Sequence, residues 1–430
     1  MKTQDTTTSH VLVIGGGIGG LALALALHEA GIGCRIIEAA PEIKPLGTGI
    51  NLLPHAVAPL ARLGVLAAME RRAVPTREVC YYTQLGQLVY KEPRGRFAGY
   101  ELPQLSIHRA DLHEVLLEAV RDRLGPDAIE LDRRCTALAQ DEHEVLVHVQ
   151  NAKGETLPEI RASIAIACDG VHSVARKQMH PVEAVPRYEG TTLYRGVTRW
   201  KPFLSGASMI YLGTQATGKL VLYPVRNRVD PEGRQLLNWV IEIERPDTRM
   251  VRDWNRTAKI EDFIENFQHC SYDWLDIPAV LRAADSIFEY PMVDQEPLPF
   301  WTQGRVTLLG DAAHPMMPRG SNGAAHALID AVTLANLLSA HRGDARLALQ
   351  LYEEQRREAT AKVVLANREI SPEAILRVVE ERTGGRPFDK IEDVLSPEEF
   401  EGWQERYRQV AGFDKARVSS VMASTPRGSA

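Results

Sequence analysis

The sequence predicts an α/β fold in which a Rossmann-like parallel sheet is interlocked with a second, antiparallel sheet. Apolar runs typical of buried parallel strands lie at residues 10–14, 163–167 and 305–309, and each leads into a turn that contains glycine. Residues 191–244 alternate between apolar and polar positions and are divided by glycine and proline, which predicts antiparallel strands. Because predicted parallel strands lie both before and after this region, we expect each sheet to be assembled from separate parts of the chain.

Composition and charge place the 430-residue chain among ordinary globular proteins. It is 44% hydrophobic and 25% charged, and its formal net charge of -6 argues against a nucleic-acid partner. Five cysteines without CxxC or CxH spacing predict neither a disulfide framework nor a metal site, and they fit a reducing cytoplasm. The polar N-terminus and the short apolar segment at 21–27 predict no signal peptide and no membrane partner. We expect a monomer or a homodimer.

The first motif is a GxGxxG turn after the first strand. Gly15 allows the tight turn, Gly17 lets a pyrophosphate approach the backbone, and Gly20 lets the following helix, predicted at 18–30, pack closely on the strand. The next strand ends in Glu38, where the motif expects a carboxylate for the adenosine ribose hydroxyls. These features predict a dinucleotide with an ADP half, which leaves FAD and NAD open.

The second motif follows the strand at 163–167. Asp169, Gly170, Ser173 and Arg176 match the pattern DGxxSxxR. With this motif the chain resembles the group A flavoprotein monooxygenases of the para-hydroxybenzoate hydroxylase type, in which it lies close to FAD and to the nicotinamide nucleotide. Asp169 is expected to cap the helix that follows and Arg176 to meet a nearby charge. Alone, an Asp-Gly pair after a strand would indicate only a turn.

The third motif begins at Gly310-Asp311, after the strand at 305–309. It resembles the family's GD motif, which implies that Asp311 accepts a hydrogen bond from the ribityl chain of FAD. The loop at 318–324 leads into a helix, and Gly320, Gly323 and Ala324 are expected to present backbone NH groups to the isoalloxazine ring. The commoner family spelling is GQGA, whereas this chain has Ser-Asn-Gly-Ala.

Three further residues are singled out by the same resemblance. Gly49 lies in a segment like the one that runs beside the flavin ring, and the alternative is a connecting loop. Arg109 matches an arginine that reaches FAD, and the alternative is a solvated surface charge. His314 matches a position that is structural in the family, and the alternative is a general base.

The alternating strands are expected to contact the substrate, because in the family this sheet forms one wall of the substrate cavity. Arg195 and Arg319 are predicted to bind a substrate carboxylate or phenolate through a planar guanidinium, and Tyr211 is a third anchor. The alternatives are a surface arginine and aromatic side chains that belong to the core. The candidate aromatic walls are Tyr194, Tyr211, Tyr223 and Trp239.

The sequence also predicts domain boundaries. The FAD-binding domain is expected at 1–75, 100–185 and 286–370, the substrate-binding β-sheet domain at 76–99 and 186–285, and a helical C-terminal extension with a disordered tail at 371–430. Within these domains, 254–267 and 346–368 are predicted to be helical.

The resemblance implies an FAD-dependent, NAD(P)H-consuming monooxygenase that hydroxylates a small aromatic or heteroaromatic substrate with O₂ through a flavin C4a-hydroperoxide. No side-chain nucleophile is required, so no catalytic residue is assigned. Segments at 43–51, 194–198, 238–240, 290–294 and 365–369 resemble a phenazine-hydroxylating branch, which implies a carboxylated, phenazine-like substrate. An FAD-dependent reductase or oxidase of the wider fold would share the first motif but not the second and third spellings. A non-catalytic flavin-binding redox sensor would keep the FAD motifs but show no substrate-stimulated NAD(P)H oxidation.

Overall fold

The computed structural model describes residues 9–44, 47–182, 187–245, 256–369, 374–402 and 405. Its strands are β1 (Ser9–Ile14), β2 (Cys34–Ile37), β3 (Gly49–Leu52), β4 (Val74–Pro75), β5 (Glu78–Tyr82), β6 (Leu88–Pro93), β7 (Leu105–His108), β8 (Ile129–Glu130), β9 (Arg134–Gln140), β10 (Val145–Gln150), β11 (Thr156–Ala167), β12 (Arg187–Trp200), β13 (Ser208–Leu212), β14 (Lys219–Arg226), β15 (Gln235–Glu244), β16 (Ser271–Tyr272), β17 (Leu275–Asp276), β18 (Ile287–Asp294), β19 (Thr302–Gln303) and β20 (Val306–Leu308). Its helices are α1 (Ile18–Glu29), α2 (Pro54–Arg62), α3 (Leu66–Arg72), α4 (Arg109–Leu124), α5 (Val174–Met179), α6 (Ile277–Arg282), α7 (Asn322–Ala340), α8 (Ala345–Glu369) and α9 (Ala374–Thr383).

The first sheet brings the three predicted apolar strands side by side. Its order is β19-β20-β11-β1-β2-β8, and β1 is parallel to both β2 and β11. Ile14 pairs with Ala167 and Ala167 pairs with Leu308, so these strands end at the same level. The turns that follow them therefore meet at one edge of the sheet, and the predicted α/β fold is confirmed.

Helices α1 and α7 pack together next to this sheet. The side chains of α1 from Leu21 to Leu27 are almost completely buried, which explains its uniformly apolar sequence. Helix α7 is long and apolar enough to span a membrane by length and composition, but more than half of its most apolar stretch is buried inside the fold. It contacts α1, α2 and α8 and is therefore a core helix.

The second sheet has the order β18-β12-β15-β14-β13-β5-β6 and is antiparallel except for the β13–β5 pair. Because successive side chains point to opposite faces, each strand has two roles. One face carries Trp239 and Ile241 into a core completed by Phe263 and Phe267. The other face, which carries Arg195, turns towards the parallel sheet and forms a wall of the cavity described below.

The structure differs from the predicted boundaries in two places. Strand β18 pairs with β12 in the second sheet, although residues from 286 onward are predicted to belong to the first domain. The predicted helix at 254–267 is replaced, in its described part, by 3-10 turns at Ile260–Asp262 and Ile264–Phe267. Phe263 and Phe267 are both buried against the second sheet. Their four-residue spacing therefore reflects burial of both rings by short turns, not a continuous helix. Most of the tail predicted to be disordered lies outside the described residues.

Candidate active site

The three motifs predicted from sequence meet at the carboxyl edge of the parallel sheet. A Cβ on Gly19 would lie 2.9 Å from Leu309 and 3.5 Å from Ala327, so the first turn is packed against the third motif and α7. The Arg176 side chain donates to the backbone carbonyls of Asp311 (3.1 Å) and Ala312 (3.3 Å). The structure thus joins turns that are far apart in sequence into one surface.

A cavity of about 760 Å³ lies between this surface and the second sheet. We call the part beside the three motifs the glycine end and the part beside the antiparallel sheet the sheet end. The predicted site residues that line the cavity are Gly17, Gly49, Arg109, Arg195, Tyr211, Asp311, Arg319, Gly320, Gly323 and Ala324. The other predicted cofactor-binding residues lie near the lining residues but do not themselves line the cavity; they are Gly15, Gly20, Glu38 and Asp169.

Gly15 and Gly20 form the turn itself. Gly15 has a φ of +110°, and a Cβ there would lie 2.5 Å from the carbonyl oxygen of Cys168 on the neighbouring strand. A Cβ on Gly20 would overlap the carbonyl oxygen of Gly15. Gly17, in contrast, faces open space, with nothing within 4 Å of the position that a Cβ would take, and it lines the cavity. The fold therefore requires glycine at positions 15 and 20, whereas at position 17 only a bound ligand would require it.

Two carboxylates hold the turns in place. Glu38 accepts hydrogen bonds from the backbone NH groups of Gly16 and Ala40, each at 2.8 Å. Asp169 accepts one from the NH of Val174, the first residue of α5, at 2.8 Å. The N-cap of that helix is Ser173 rather than the predicted Asp169, and its hydroxyl accepts from the NH of Arg176 at 3.0 Å. Burial raises the pKa of Asp169, and its hydrogen bonds lower it less. The Arg176 guanidinium donates to backbone carbonyls, and its charge is near enough to Asp169 to lower the pKa of that carboxyl.

The loop before α7 presents backbone and an unpartnered amide to the cavity. Gly320 and Ser321 both adopt left-handed conformations, with φ of +66° and +59°. Asn322 follows at the first position of α7, is 1% exposed, and has no hydrogen-bond partner for either amide atom among the described residues. The sequence left this side chain without a role. Its signal is the position itself, since Asn322 stands where the family spelling has glutamine.

Gly49 and Arg109 lie next to each other where the two sheets approach. Strand β3 pairs with β7, and the NH of Arg109 donates to the carbonyl of Thr48 at 2.9 Å. The NH of Gly49 donates to Oδ1 of the buried Asn238 at 2.6 Å, and a Cβ at Gly49 would collide with that side chain. Gly49 thus lets β3 approach the second sheet, a reason that the sequence did not indicate. Arg109 is exposed to the cavity, and its side chain packs along Gly47.

Arg195 on β12 points into the sheet end. Its Nε is buried without a hydrogen-bond partner, and in the described part of the chain it forms no ion pair. The guanidinium carbon lies 5.8 Å from the ring centroid of Tyr290. Burial lowers the pKa of Arg195, and the nearby tyrosines and Glu242 raise it less. A buried cation without a partner is costly unless a ligand completes it.

The other cations of the sheet end are paired. Arg319 lies 3.0 Å from a carboxylate oxygen of Glu189 and also donates to the carbonyl of Asn367 at 3.2 Å, so it is already engaged. Lys219 and Glu242 form a buried pair at 2.7 Å. Burial raises the pKa of Glu242, but Lys219 and Arg319 outweigh that effect and hold it below its usual value. Nε of Arg319 is buried without a hydrogen-bond partner, as is Nε of Arg195, but of these two predicted anchors only Arg195 lacks an ion pair among the described residues.

The four aromatic residues predicted to form cavity walls lie on two different faces of the second sheet. Tyr211 and Tyr223 line the cavity, whereas Tyr194 and Trp239 lie in the core on the opposite face. Tyr194 and Trp239 are therefore not cavity walls, because each is displaced by an odd number of positions from a cavity-facing residue on its own strand. Tyr290 was not predicted and also lines the cavity.

His314 lies in a buried network behind the glycine end. Its Nε2 is 2.6 Å from Asp330, whose other oxygen accepts from Arg356 at 2.7 Å. Arg356 also contacts Nδ1 of His326 at 2.8 Å. Burial and the charge of Arg356 lower the pKa of His326 well below its usual value. His314 does not line the cavity, so its geometry supports the structural role rather than a general base.

The donor set fits a flavin dinucleotide. The glycine end offers a backbone turn that faces open space at Gly17, a left-handed loop at Gly320, and the unpartnered amide of Asn322. Gly323 lies beside Asp311, since a Cβ there would be in ordinary contact with a carboxylate oxygen of Asp311 at 4.0 Å. Within the described ranges, no group of three or more His, Cys, Asp or Glu side chains could hold a metal ion.

Comparison with known proteins identifies the family. The family model described as "FAD binding domain" matches residues 8–367. The chain is 40% identical to phenazine 1,6-dicarboxylic acid hydroxylase of Lysobacter antibioticus over 367 residues, which cover 84% of this chain and 90% of that protein. The chain belongs to the group A flavoprotein monooxygenases.

Further relatives within the monooxygenases agree with this. 3-Hydroxybenzoate 6-hydroxylase of Polaromonas naphthalenivorans is 33% identical over 374 residues, which cover 84% of this chain and 86% of that protein. The structure of a salicylate hydroxylase substrate complex superposes with a TM-score of 0.71 at 24% identity, covering 98% of this chain and all of that one, and it supports the fold.

The family assignment confirms several expectations from the sequence. The chain is an FAD-dependent aromatic monooxygenase, and NAD(P)H is the usual co-substrate of its family. The relative from Lysobacter antibioticus also agrees with the predicted resemblance to a phenazine-hydroxylating branch.

Proposed function

We propose that this monooxygenase hydroxylates an aromatic or heteroaromatic carboxylate with fused rings, of the phenazine type, and that Arg195 binds the carboxylate. The observation that carries the proposal is the unpartnered guanidinium of Arg195 in an otherwise neutralised wall. Lys219 is paired with Glu242, and Arg319 with Glu189. Among the described residues of the sheet end, Arg195 is therefore the cation without an ion-pair partner, and a planar guanidinium favours a planar oxyanion.

The shape of the sheet end supports an aromatic substrate. Tyr211, Tyr223 and Tyr290 line the cavity together with the apolar side chains of Met209 and Val221. Aromatic and apolar walls with few polar groups are typical of sites that hold flat ligands. The carboxylate would thus fix one edge of the ring system while the tyrosines flank its faces.

The same proposal assigns the cofactor site. FAD would be held at the glycine end, with its ADP half at the first turn and Glu38, and its ribityl chain at Asp311. Asn322 is added to this set because both of its amide atoms are buried and unpartnered. The residues proposed to hold FAD or to shape its site are Gly15, Gly17, Gly20, Glu38, Gly49, Arg109, Asp169, Asp311, Gly320, Asn322, Gly323 and Ala324.

FAD supplies the redox chemistry and the activation of O₂ when it is bound, and the side chains of this chain have three other tasks. Arg195 orients the ring. The loop from Pro315 to Arg319 covers the cavity and excludes water, and it is held by Met317, which is 1% exposed and packs on Leu193. Burial raises the pKa of Tyr223 well above its usual value, so its hydroxyl stays protonated and can donate a hydrogen bond to the substrate.

The relatives support this substrate class. The proteins similar to this chain include hydroxylases named for phenazine 1,6-dicarboxylic acid, 3-hydroxybenzoate and 6-hydroxynicotinate, all of which are aromatic carboxylates. The carboxylate is the group that they share, and Arg195 is the feature of this cavity that would recognise it.

The test compares acids with their carboxamides. The FAD-loaded protein is mixed with NAD(P)H and with phenazine, quinoline or hydroxybenzoate carboxylates, and NAD(P)H consumption and product mass are followed. We expect a product heavier by one oxygen, or a hydroxylated product that has lost CO₂, from at least one fused-ring acid. The matching carboxamide should give little product. If every acid yields only hydrogen peroxide and no oxygenated product, these acids are not substrates and the proposed substrate class is wrong.

A further inference from the structure

The chain continues beyond the region that matches its family, and this continuation covers part of the cavity wall. The family match ends at residue 367. Residues 374–402, which we call the C-terminal segment, contain α9 and a second helical turn that begins after Ser396. Ser396 and Glu399 form reciprocal backbone–side chain hydrogen bonds at 3.0 and 3.2 Å, which fix the start of that turn.

The C-terminal segment packs on the cavity face of the second sheet. Tyr211 pairs with Tyr81 and Met209 with Val79 across the β13–β5 boundary, so these four side chains point to the same face. They belong to one buried cluster with side chains of the C-terminal segment. That cluster contains Val79, Tyr81, Val89, Met209, Val221, Tyr223, Val225, Ile375, Leu376, Val379, Leu395 and Phe400, with Tyr211 and Tyr90 packed against it.

An aromatic series connects the segment to the cavity. Tyr211 lines the cavity and stacks on Tyr81, with ring centroids 5.2 Å apart and planes 8° apart. Tyr81 in turn meets the ring of Phe400 edge-on at 6.3 Å, and Phe400 also contacts Tyr90. Phe400 is 3% exposed. Tyr211 is therefore supported from behind by a ring that the C-terminal segment supplies.

Polar contacts fix the segment in this position. Gln87, in the β5–β6 turn, donates to the carbonyl of Phe388 at 2.7 Å and accepts from its NH at 3.3 Å. Arg382 joins α9 to the next turn through Glu399 at 2.9 Å. The packing on Tyr81 thus belongs to a defined arrangement of the C-terminal segment.

We propose that the C-terminal segment determines which size of aromatic acid the cavity accepts, by holding the Tyr81–Tyr211 stack in place through Phe400. The proposal rests on the proposed function, since it concerns the same cavity and the same class of acid. Phe400 is a positioning residue in this scheme: it touches neither substrate nor cofactor and acts through Tyr81. Without its ring, Tyr81 and Tyr211 can retreat, which lengthens the cavity at the β13 side.

The experiment uses the full-length, FAD-loaded protein and three variants. Phe400→Ala and the milder Phe400→Leu remove the support, and Phe263→Ala is the matched control, because Phe263 is equally buried on the opposite face of the same sheet. Dissociation constants for quinoline-2-carboxylate and phenazine-1-carboxylate are measured by calorimetric titration. Thermal midpoints and FAD content are recorded for each protein, since both phenylalanine losses lower stability.

The decisive quantity is the ratio of the two dissociation constants, which a general loss of stability does not change. We expect both Phe400 variants to shift the ratio roughly three- to tenfold in favour of the larger acid, and Phe263→Ala to leave it unchanged. If both acids bind and the ratio is the same in all four proteins, this proposal is overturned while the proposed function stands. If neither acid binds the wild-type protein, the substrate class and this proposal fail together.

Discussion

The glycine end of the cavity is built from backbone, whereas the sheet end is built from long side chains. At the glycine end, turns with left-handed residues such as Gly15 and Gly320 bring main-chain NH groups and one amide to the ligand. At the sheet end, Arg195 and several tyrosines reach into the cavity from alternate positions of β12, β13 and β14. Main-chain geometry, which tolerates little change, would thus recognise the shared cofactor, whereas side chains, which can be exchanged, would recognise a particular substrate.

The largest effect is expected from Gly20→Ala at the glycine end. Its methyl group would overlap the Gly15 carbonyl, and backbone cannot yield without breaking the β1–α1 turn. We expect a loss of more than about 4 kcal/mol in the free energy of unfolding, seen as insoluble or FAD-free protein. Gly33→Ala is the control, because nothing lies within 4 Å of its Cβ position.

Gly17→Ala separates fold from ligand within the same motif. The Gly17 Cβ position is open, so the folded protein should persist with its thermal midpoint unchanged when FAD is removed. FAD affinity should fall about tenfold by fluorescence titration, because the methyl group occupies the approach of the pyrophosphate. A variant that binds FAD as well as wild type would argue that the phosphates lie elsewhere.

The next largest effect is expected from Arg195→Met at the sheet end. Removal of the carboxylate partner should weaken binding of the aromatic acid roughly 500-fold in calorimetry. FAD affinity should stay the same, and the thermal midpoint should not fall, since an unpaired buried charge is replaced by an apolar chain. Arg199→Met, on the same strand but exposed and paired with Asp285, should bind like wild type. Equal losses in both variants would contradict the assigned role.

A smaller effect is expected from acid, and it begins at His55, which lies near the buried network of Arg356 and His326 behind the glycine end. Burial and Arg356 lower the pKa of His55 to about 4, whereas a histidine in the unfolded chain titrates with its ordinary pKa of about 6.5. Below that pH the unfolded state therefore takes up a proton that the folded state refuses. Stability should fall by on the order of 3 kcal/mol as the pH drops from about 6.5 to about 4.

Denaturant titrations at several pH values would measure this loss. His55→Gln should flatten the acid limb, whereas His143→Gln, at an exposed turn, should leave it as steep as in wild type. An acid limb that is unaffected by His55→Gln would assign the loss to other groups.

An effect as small as that of Gly17→Ala is expected from Asn322→Leu, which removes a side-chain contact proposed at the glycine end. FAD affinity should fall about tenfold, and the free energy of unfolding should not decrease, because two unpartnered polar atoms are removed from a buried position. Asn336→Leu, exposed on the same helix, provides the control. If Asn322→Leu binds FAD normally, the Asn322 amide does not contact the cofactor.

The same contrast explains how much the sequence could predict. The turns at Gly15–Gly20 and Gly310–Asp311 are local, since strand, glycine and helix follow one another and need no information about distant contacts. The roles of Tyr194 and Trp239 were wrong because they depend on which face of the sheet each position occupies. Alternation was visible in the sequence, but the buried face was not.

Pairing between residues that are far apart along the chain could not be predicted from the sequence. Arg319, in the loop before α7, was predicted as a substrate anchor, but it forms an ion pair with Glu189 on β12. The assignment of β18 to the second sheet likewise depends on its pairing with β12, which nothing in its own residues specifies. Asn322 is the intermediate case: its position was noticed, and the absence of partners for its amide became visible only in the folded chain.

The clamp that Arg176 forms on the carbonyls of Asp311 and Ala312 has a consequence for the order in which the protein is made. A growing chain contains the complete GxGxxG turn soon after synthesis starts, but β20 and α7 emerge from the ribosome hundreds of residues later. Until then Arg176 lacks the carbonyls of Asp311 and Ala312 and has only that of Val171, and the surface that would face the flavin does not exist. FAD can therefore bind only late in synthesis. Between the synthesis of β11 and that of β20, the parallel sheet has an unpaired edge beside β11.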